Sequence, residues 1–86
     1  METFTHIVKD PAGVHARPAG AVIKTAGACR SAVFLSAKGR RIALKGGIFA
    51  LLSLGIRQGE ELTLEIEGED EAESARKMKA ACEQYL

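Results

Sequence analysis

Seven consecutive residues, Glu61 to Glu67, alternate without a break between polar and branched apolar side chains. Leu62, Leu64 and Ile66 fall on one side of an extended chain and Glu61, Thr63, Glu65 and Glu67 on the other, the pattern of a half-buried strand. Such a strand belongs to a sheet with one covered face and one face open to water, so the helices of the chain must pack on a single side. With 86 residues there is room for one compact core and not for two. The function has to be built on that core.

The rest of the chain divides around this strand. Glu2 to Val8 is rich in β-forming residues and stops at Lys9-Asp10-Pro11-Ala12-Gly13, where proline and glycine mark a loop. From Ala16 the residues Ala16, Ala19, Gly20, Ile23 and Ala26 recur three and four apart, which predicts a first helix stopped by Gly27, with Pro18 in its first turn. Ala32–Ser36 and Arg41–Leu44 flank Lys38-Gly39-Arg40 as a hairpin. Ile48 to Leu54, closed by Gly55, suffices for two helical turns. After Gly68 the acidic run Glu69, Asp70, Glu71 suits a helix N-terminus, and Ala72, Ala75, Met78, Cys82 and Tyr85 mark the apolar stripe of a last helix. The expected fold is α+β: a βαββαβα open-faced sandwich, four antiparallel strands carrying three helices on one face, as a single domain over residues 1–86.

Composition excludes several functions. Twelve basic and eleven acidic residues leave a formal charge of +1, and three Phe and one Tyr are the only aromatics, so neither a phosphate-backbone field nor a set of stacking platforms for nucleic acid is present. The longest apolar stretch, Gly46 to Leu52, is far shorter than the roughly 20 residues that span a bilayer, and the N-terminus has no basic region followed by an apolar one. A cytosolic protein without membrane insertion is expected, and nothing demands more than a monomer. Cys29 and Cys82 have no scaffold or metal-ligand spacing and read as free thiols against apolar neighbours. His6 reads as a cross-strand neighbour. Glu69, Asp70, Glu71 and Glu73 match no Ca²⁺ loop, and Lys45-Gly46-Gly47 lacks the rest of a phosphate-cradling loop, so no metal, nucleotide or other cofactor is expected.

The chemistry concentrates in Gly13-Val14-His15-Ala16-Arg17-Pro18-Ala19, which places an imidazole and a guanidinium at the opening of a helix. Helix N-termini present unpaired N–H donors and the positive end of the backbone dipole, so an anion is stabilised beside His15. Arg17 adds a planar fork suited to phosphate oxygens. Neutral imidazole is a nucleophile near neutral pH and a good leaving group, which is what a reversible phosphoryl carrier needs. From the segment alone, the simpler reading is that His15 caps the helix or bonds the loop.

The run GVHARPA, followed by Leu44-Lys45 and by Ser53-Leu54-Gly55-Ile56, resembles the HPr family, the histidine-containing phosphocarriers of the bacterial sugar phosphotransferase system, and the resemblance extends over essentially the whole chain. It implies that His15 is phosphorylated on Nδ1 by the first enzyme of that system, itself charged from phosphoenolpyruvate, and passes the group to sugar-specific domains. It also implies that Arg17 and the N–H groups of Ala16 and Arg17 steady the phosphoryl group. The family's docking patch on its second helix maps to Ile48, Phe49 and Leu52, with Gly20 and Lys24 added from the first helix. The three apolar residues serve equally well as core, and Lys24 as a solvated helix residue. Two departures stand out. Many relatives carry a regulatory serine just after the lysine matching Lys45, whereas this chain reads Lys45-Gly46-Gly47, with one residue inserted. Ala12 replaces the small polar residue often found near the active histidine.

Overall fold

A computed structural model describes residues 1–86. The elements run β1 (Glu2–Ile7), α1 (Ala16–Ala28), β2 (Ala32–Ala37), β3 (Arg40–Ala43), α2 (Ile48–Ser53), β4 (Glu61–Glu67) and α3 (Glu71–Tyr85). The four strands form one antiparallel sheet in the order β1-β4-β2-β3. The expected α+β architecture is therefore the observed one, and β4 has the bounds its alternation predicts.

Leu62, Leu64 and Ile66 of β4 join Val33 and Leu35 of β2 in the buried core, where they meet Val22 of α1, Leu51 of α2 and Met78 and Cys82 of α3. The opposite face is open. Arg41 lies there 4.0 Å over the Phe34 ring and pairs with Glu65 at 3.0 Å, joining β3, β2 and β4 in front of solvent. Ala37 pairs with Arg40, so Lys38 and Gly39 alone make the turn; both have positive φ, 54° and 76°, as a two-residue turn matched to the twist of the strands requires.

Several local expectations need correction. Ala16 is exposed and Ile23 only half-buried, while Val22 is fully buried, because the face of α1 that meets the core is the one carrying Pro18, Ala19, Val22 and Ala26, three and four residues apart. Gly27 does not stop α1, which runs on to Ala28 with Cys29 as its cap. On α3, Ala72 and Tyr85 are not part of the core, and the buried stripe is Ser74, Met78, Ala81 and Cys82. Asp70 occupies the N-cap position of α3, yet its carboxylate makes no cap bond. It accepts instead from the Ser31 hydroxyl and from the Ser31 and Arg30 N–H groups, and the Ser31 hydroxyl foremost holds its carboxyl well below the usual carboxylate range. Cys29 and Cys82 are both free and buried, and burial pushes the Cys82 thiol up to about 12.

His6 faces inward opposite Leu62, and its Nε2 is buried with no partner. Burial lowers its pKa from the ordinary 6.5, partly opposed by the Leu86 carbonyl. The unfolded chain therefore binds a proton at His6 that the folded chain resists. The stability tied to a neutral His6 is complete above pH 6.5 and declines as the pH falls toward the depressed folded value. Thermal melts of His6→Phe against the wild type should show the wild type losing more stability than the variant between pH about 6.5 and 5. Parallel losses would mean that His6 ionises freely in the fold.

Candidate functional site: the start of the first helix

The loop from β1 to α1 is tied down from two directions. The N–H groups of Lys9 and Asp10 both donate to the Leu86 carbonyl, at 2.6 and 3.1 Å, and the Val14 N–H donates to the Ile56 carbonyl at 3.0 Å. Gly13, at φ +70°, comes so close to that carbonyl that a Cβ would stand 2.5 Å from its oxygen. The Ile56 segment is steadied in turn by Lys38, whose ammonium donates to the Gly55 carbonyl at 2.7 Å and pairs with Glu60 at 3.2 Å. Within the loop, Asp10 Oδ1 accepts the Ala12 N–H at 2.9 Å and the Gly13 N–H returns to the Asp10 carbonyl at 2.8 Å, a side-chain-closed turn of the kind aspartate forms.

This framework delivers His15 to the N-cap of α1 in an extended conformation, φ −120° and ψ 175°. Its carbonyl accepts the Ala19 N–H at 3.0 Å, while its imidazole makes no capping bond and is 45% exposed. The Nε2 edge lies 3.3 Å from Asp10 Oδ2, and Nδ1 has no partner. Sequence reasoning misses Asp10, whose only signal is the Asp-Pro turn pair five residues before the histidine. The polar contact absent at Ala12 is thus supplied two residues earlier. The Ala12 N–H, followed by His15, holds the Asp10 carboxyl below its ordinary range, so it is ionised at neutral pH.

Beyond His15, the first-turn N–H groups of Ala16 and Arg17 have no backbone acceptor, and Pro18 has no N–H to offer. The first turn carries no acidic side chain to occupy these donors. Arg17 is exposed, and its guanidinium enters no ion pair or hydrogen bond. An exposed ring nitrogen, two free N–H donors and a free guanidinium share one helix end, an arrangement that can hold a dianionic group and attack it.

On the neighbouring α2, Phe49 is 84% exposed, while Ile48 and Leu52 are half-buried against the core. Gly20 of α1 adjoins Ile48, whose Cδ1 would lie 3.7 Å from a Cβ at 20, and Lys24 is exposed one helical turn further along α1. None of these residues surrounds a cavity. The one cleft, about 260 Å³, lies between β1 and α3, lined by Glu2, Phe4, Arg76 and Lys79, away from His15. His15 is exposed and lines no cavity, so a group held there is enclosed by the protein only on one side.

A family model described as the PTS HPr component phosphorylation site matches residues 2–84. The chain belongs to the HPr family. It is similar to the phosphocarrier protein HPr of Mycoplasma pneumoniae, 38% identical over 86 residues and covering 99% of this chain and 97% of the relative. HPr of Mycoplasma genitalium is 36% identical over 83 residues, covering 96% and 94%. A crystal structure of HPr from Thermoanaerobacter tengcongensis superposes with a TM-score of 0.90 at 30% identity, over 99% of this chain and 94% of that one. The HPr phosphocarriers are components of the phosphotransferase system, and no helix of this one is long and apolar enough to cross a membrane.

Proposed function

We propose that the protein is a stoichiometric phosphocarrier. It accepts a phosphoryl group on His15 Nδ1 from the phosphoenolpyruvate-charged first enzyme of the sugar phosphotransferase system and passes it to sugar-specific components. The observation that carries this reading is the exposed His15 at the mouth of α1, with Nε2 engaged by Asp10 and Nδ1 free. The Nδ1 lone pair attacks phosphorus as the bond from phosphorus to the donor breaks and its electron pair leaves with the donor. The Ala16 and Arg17 N–H groups and the Arg17 guanidinium balance charge on the phosphoryl oxygens. The protein turns over nothing by itself: it is the substrate of the enzymes on either side and acts as a cytosolic monomer. Phe49, with Ile48, Leu52 and Gly20, offers an apolar surface beside the site for both partners, and Lys24 a positive rim.

The test is incubation of the purified protein with phosphoenolpyruvate and a phosphotransferase first enzyme, read by intact mass. A gain of one acid-labile, hydroxylamine-sensitive phosphate is expected. No gain, with an active enzyme and a folded protein, would replace the carrier by a module that only binds.

The segment after Lys45 is closed to serine regulation. Gly47 lies where a Cβ would stand 2.5 Å from the Ala43 carbonyl oxygen, and Gly46 has φ +66°, so neither position tolerates a serine without displacement or strain. Ser53 sits at the far end of α2, its hydroxyl donating to the Ala50 carbonyl at 2.8 Å. Treatment with ATP and the kinase that modifies serine in related carriers is expected to leave the mass unchanged, with a serine-bearing relative as positive control; stoichiometric phosphate on Ser53 would sink this expectation.

A further inference from the structure

We propose that Asp10 is a positioning residue for phosphoryl transfer, holding the Nε2–H of His15 so that Nδ1 presents its lone pair to the incoming phosphorus. This rests on the carrier reading above. An ionised carboxylate only accepts hydrogen bonds, so a ring nitrogen 3.3 Å from Asp10 Oδ2 is the one that carries hydrogen, and the opposite nitrogen is the nucleophile. The contact is aimed by the chain. The Ala12 N–H occupies Oδ1, the Leu86 carbonyl pins the Asp10 backbone, and His15 is the only ion-pair partner of the carboxylate. A pair this exposed contributes little to folding stability, so its consequence lies in which tautomer the ring adopts.

Asp10 also matters during transfer. When Nδ1 bonds to phosphorus and the donor bond breaks, no proton moves: Nε2 keeps its hydrogen and the ring becomes cationic. The Asp10 carboxylate lies against the edge bearing that hydrogen, on the far side of the ring from the phosphoryl oxygens, and compensates the charge without repelling them. On onward transfer the N–P electron pair returns to Nδ1, and the neutral Nε2–H ring is restored. The arrangement uses the same logic by which a buried aspartate orients a catalytic histidine in serine proteases.

Two substitutions separate positioning from mere support of the loop. Asp10→Ala removes both contacts. Asp10→Asn keeps an oxygen for the Ala12 N–H but turns its NH₂ toward Nε2, which selects the Nδ1–H tautomer and blocks the nucleophile. Ring ¹⁵N spectra at mildly alkaline pH should show the Nε2–H form in the wild type, a mixture in Asp10→Ala and a shift to Nδ1–H in Asp10→Asn. Phosphorylation by the charged first enzyme should slow about fivefold in Asp10→Ala, and about tenfold or more in Asp10→Asn. A purely structural role demands the reverse order, with asparagine milder than alanine. That order, or tautomers that do not respond to either change, would overturn the proposal. If the wild type takes up no phosphoryl group, the carrier reading falls. The ring spectra still decide Asp10, upholding its hold on the ring if the Nδ1–H shift appears and overturning it if not.

Discussion

His15→Ala is expected to abolish acid-labile phosphorylation while leaving the fold nearly untouched. The loss should be complete because no second acceptor is in reach: the only other histidine, His6, is buried on the inner face of β1. The free N–H groups of Ala16 and Arg17 would still bind an anion there, but binding without a nucleophile forms no bond. The structural cost is small because the ring holds little in place. The imidazole is 45% exposed, makes no capping bond, and touches Asp10 only as a surface pair, a kind of contact that adds little to stability. The melting temperature of the variant should therefore stay close to that of the wild type. Intact mass after incubation with phosphoenolpyruvate and the first enzyme, with a thermal melt of the same sample, checks both halves. Retained acid-labile phosphate would point to another acceptor, and a collapse of the melting temperature would make His15 a structural residue.

Gly13→Ala carries the largest expected loss of stability in the loop. A Cβ at φ +70° is strained in itself, by about 1 kcal/mol, and here it would also stand 2.5 Å from the Ile56 carbonyl oxygen, a backbone atom that cannot rotate away. Relief requires the loop to back off from Ile56, which breaks the Val14 N–H bond to that carbonyl and loosens the buried Val14 side chain. Together these should destabilise the protein by about 2–4 kcal/mol, a large share of the roughly 5–15 kcal/mol that holds a typical domain folded. Gly39→Ala is the matched control. It has a similar φ, +76°, with nothing within 4 Å of its new Cβ, so only the strain of about 1 kcal/mol applies. Urea denaturation of the two variants should separate them by at least about 1 kcal/mol. Equal losses would show that the close approach to Ile56 is not a constraint.

His15 and Gly13 stand on either side of what a sequence can disclose. Local pattern is enough for the element order, for the bounds of β4, for a glycine-containing hairpin turn at Lys38-Gly39-Arg40, which the structure shortens to Lys38 and Gly39, and for the placement of His15 at the mouth of α1. Each of these is encoded within a window of a few residues, by period, turn chemistry or a helix start. The GVHARPA run sets an imidazole at the N-cap and a guanidinium in the first turn, a pairing compatible with phosphoryl chemistry, and it is the resemblance of that run to the HPr family that selects this reading over a capping histidine.

Features set by segments far apart in the chain escape such a window. The side of α1 that is buried depends on how the helix lies across the sheet, which is why Val22 takes the place of Ile23 in the core. Asp70 has the position of a cap and serves Ser31, 39 residues away, because the fold brings the start of α3 against the start of β2. The two glycines after Lys45 make sense only with Gly47 against the Ala43 carbonyl. The sequence by itself determined the βαββαβα order, which follows from local periodicity and turn chemistry, and it singled out His15 as the proposed nucleophile through the resemblance of its GVHARPA run to the HPr family. Only the tertiary structure decided that Asp10 faces Nε2 and that Gly13 must be glycine. Both arise when the Leu86 and Ile56 carbonyls hold one short loop in one place, and no local window contains that information.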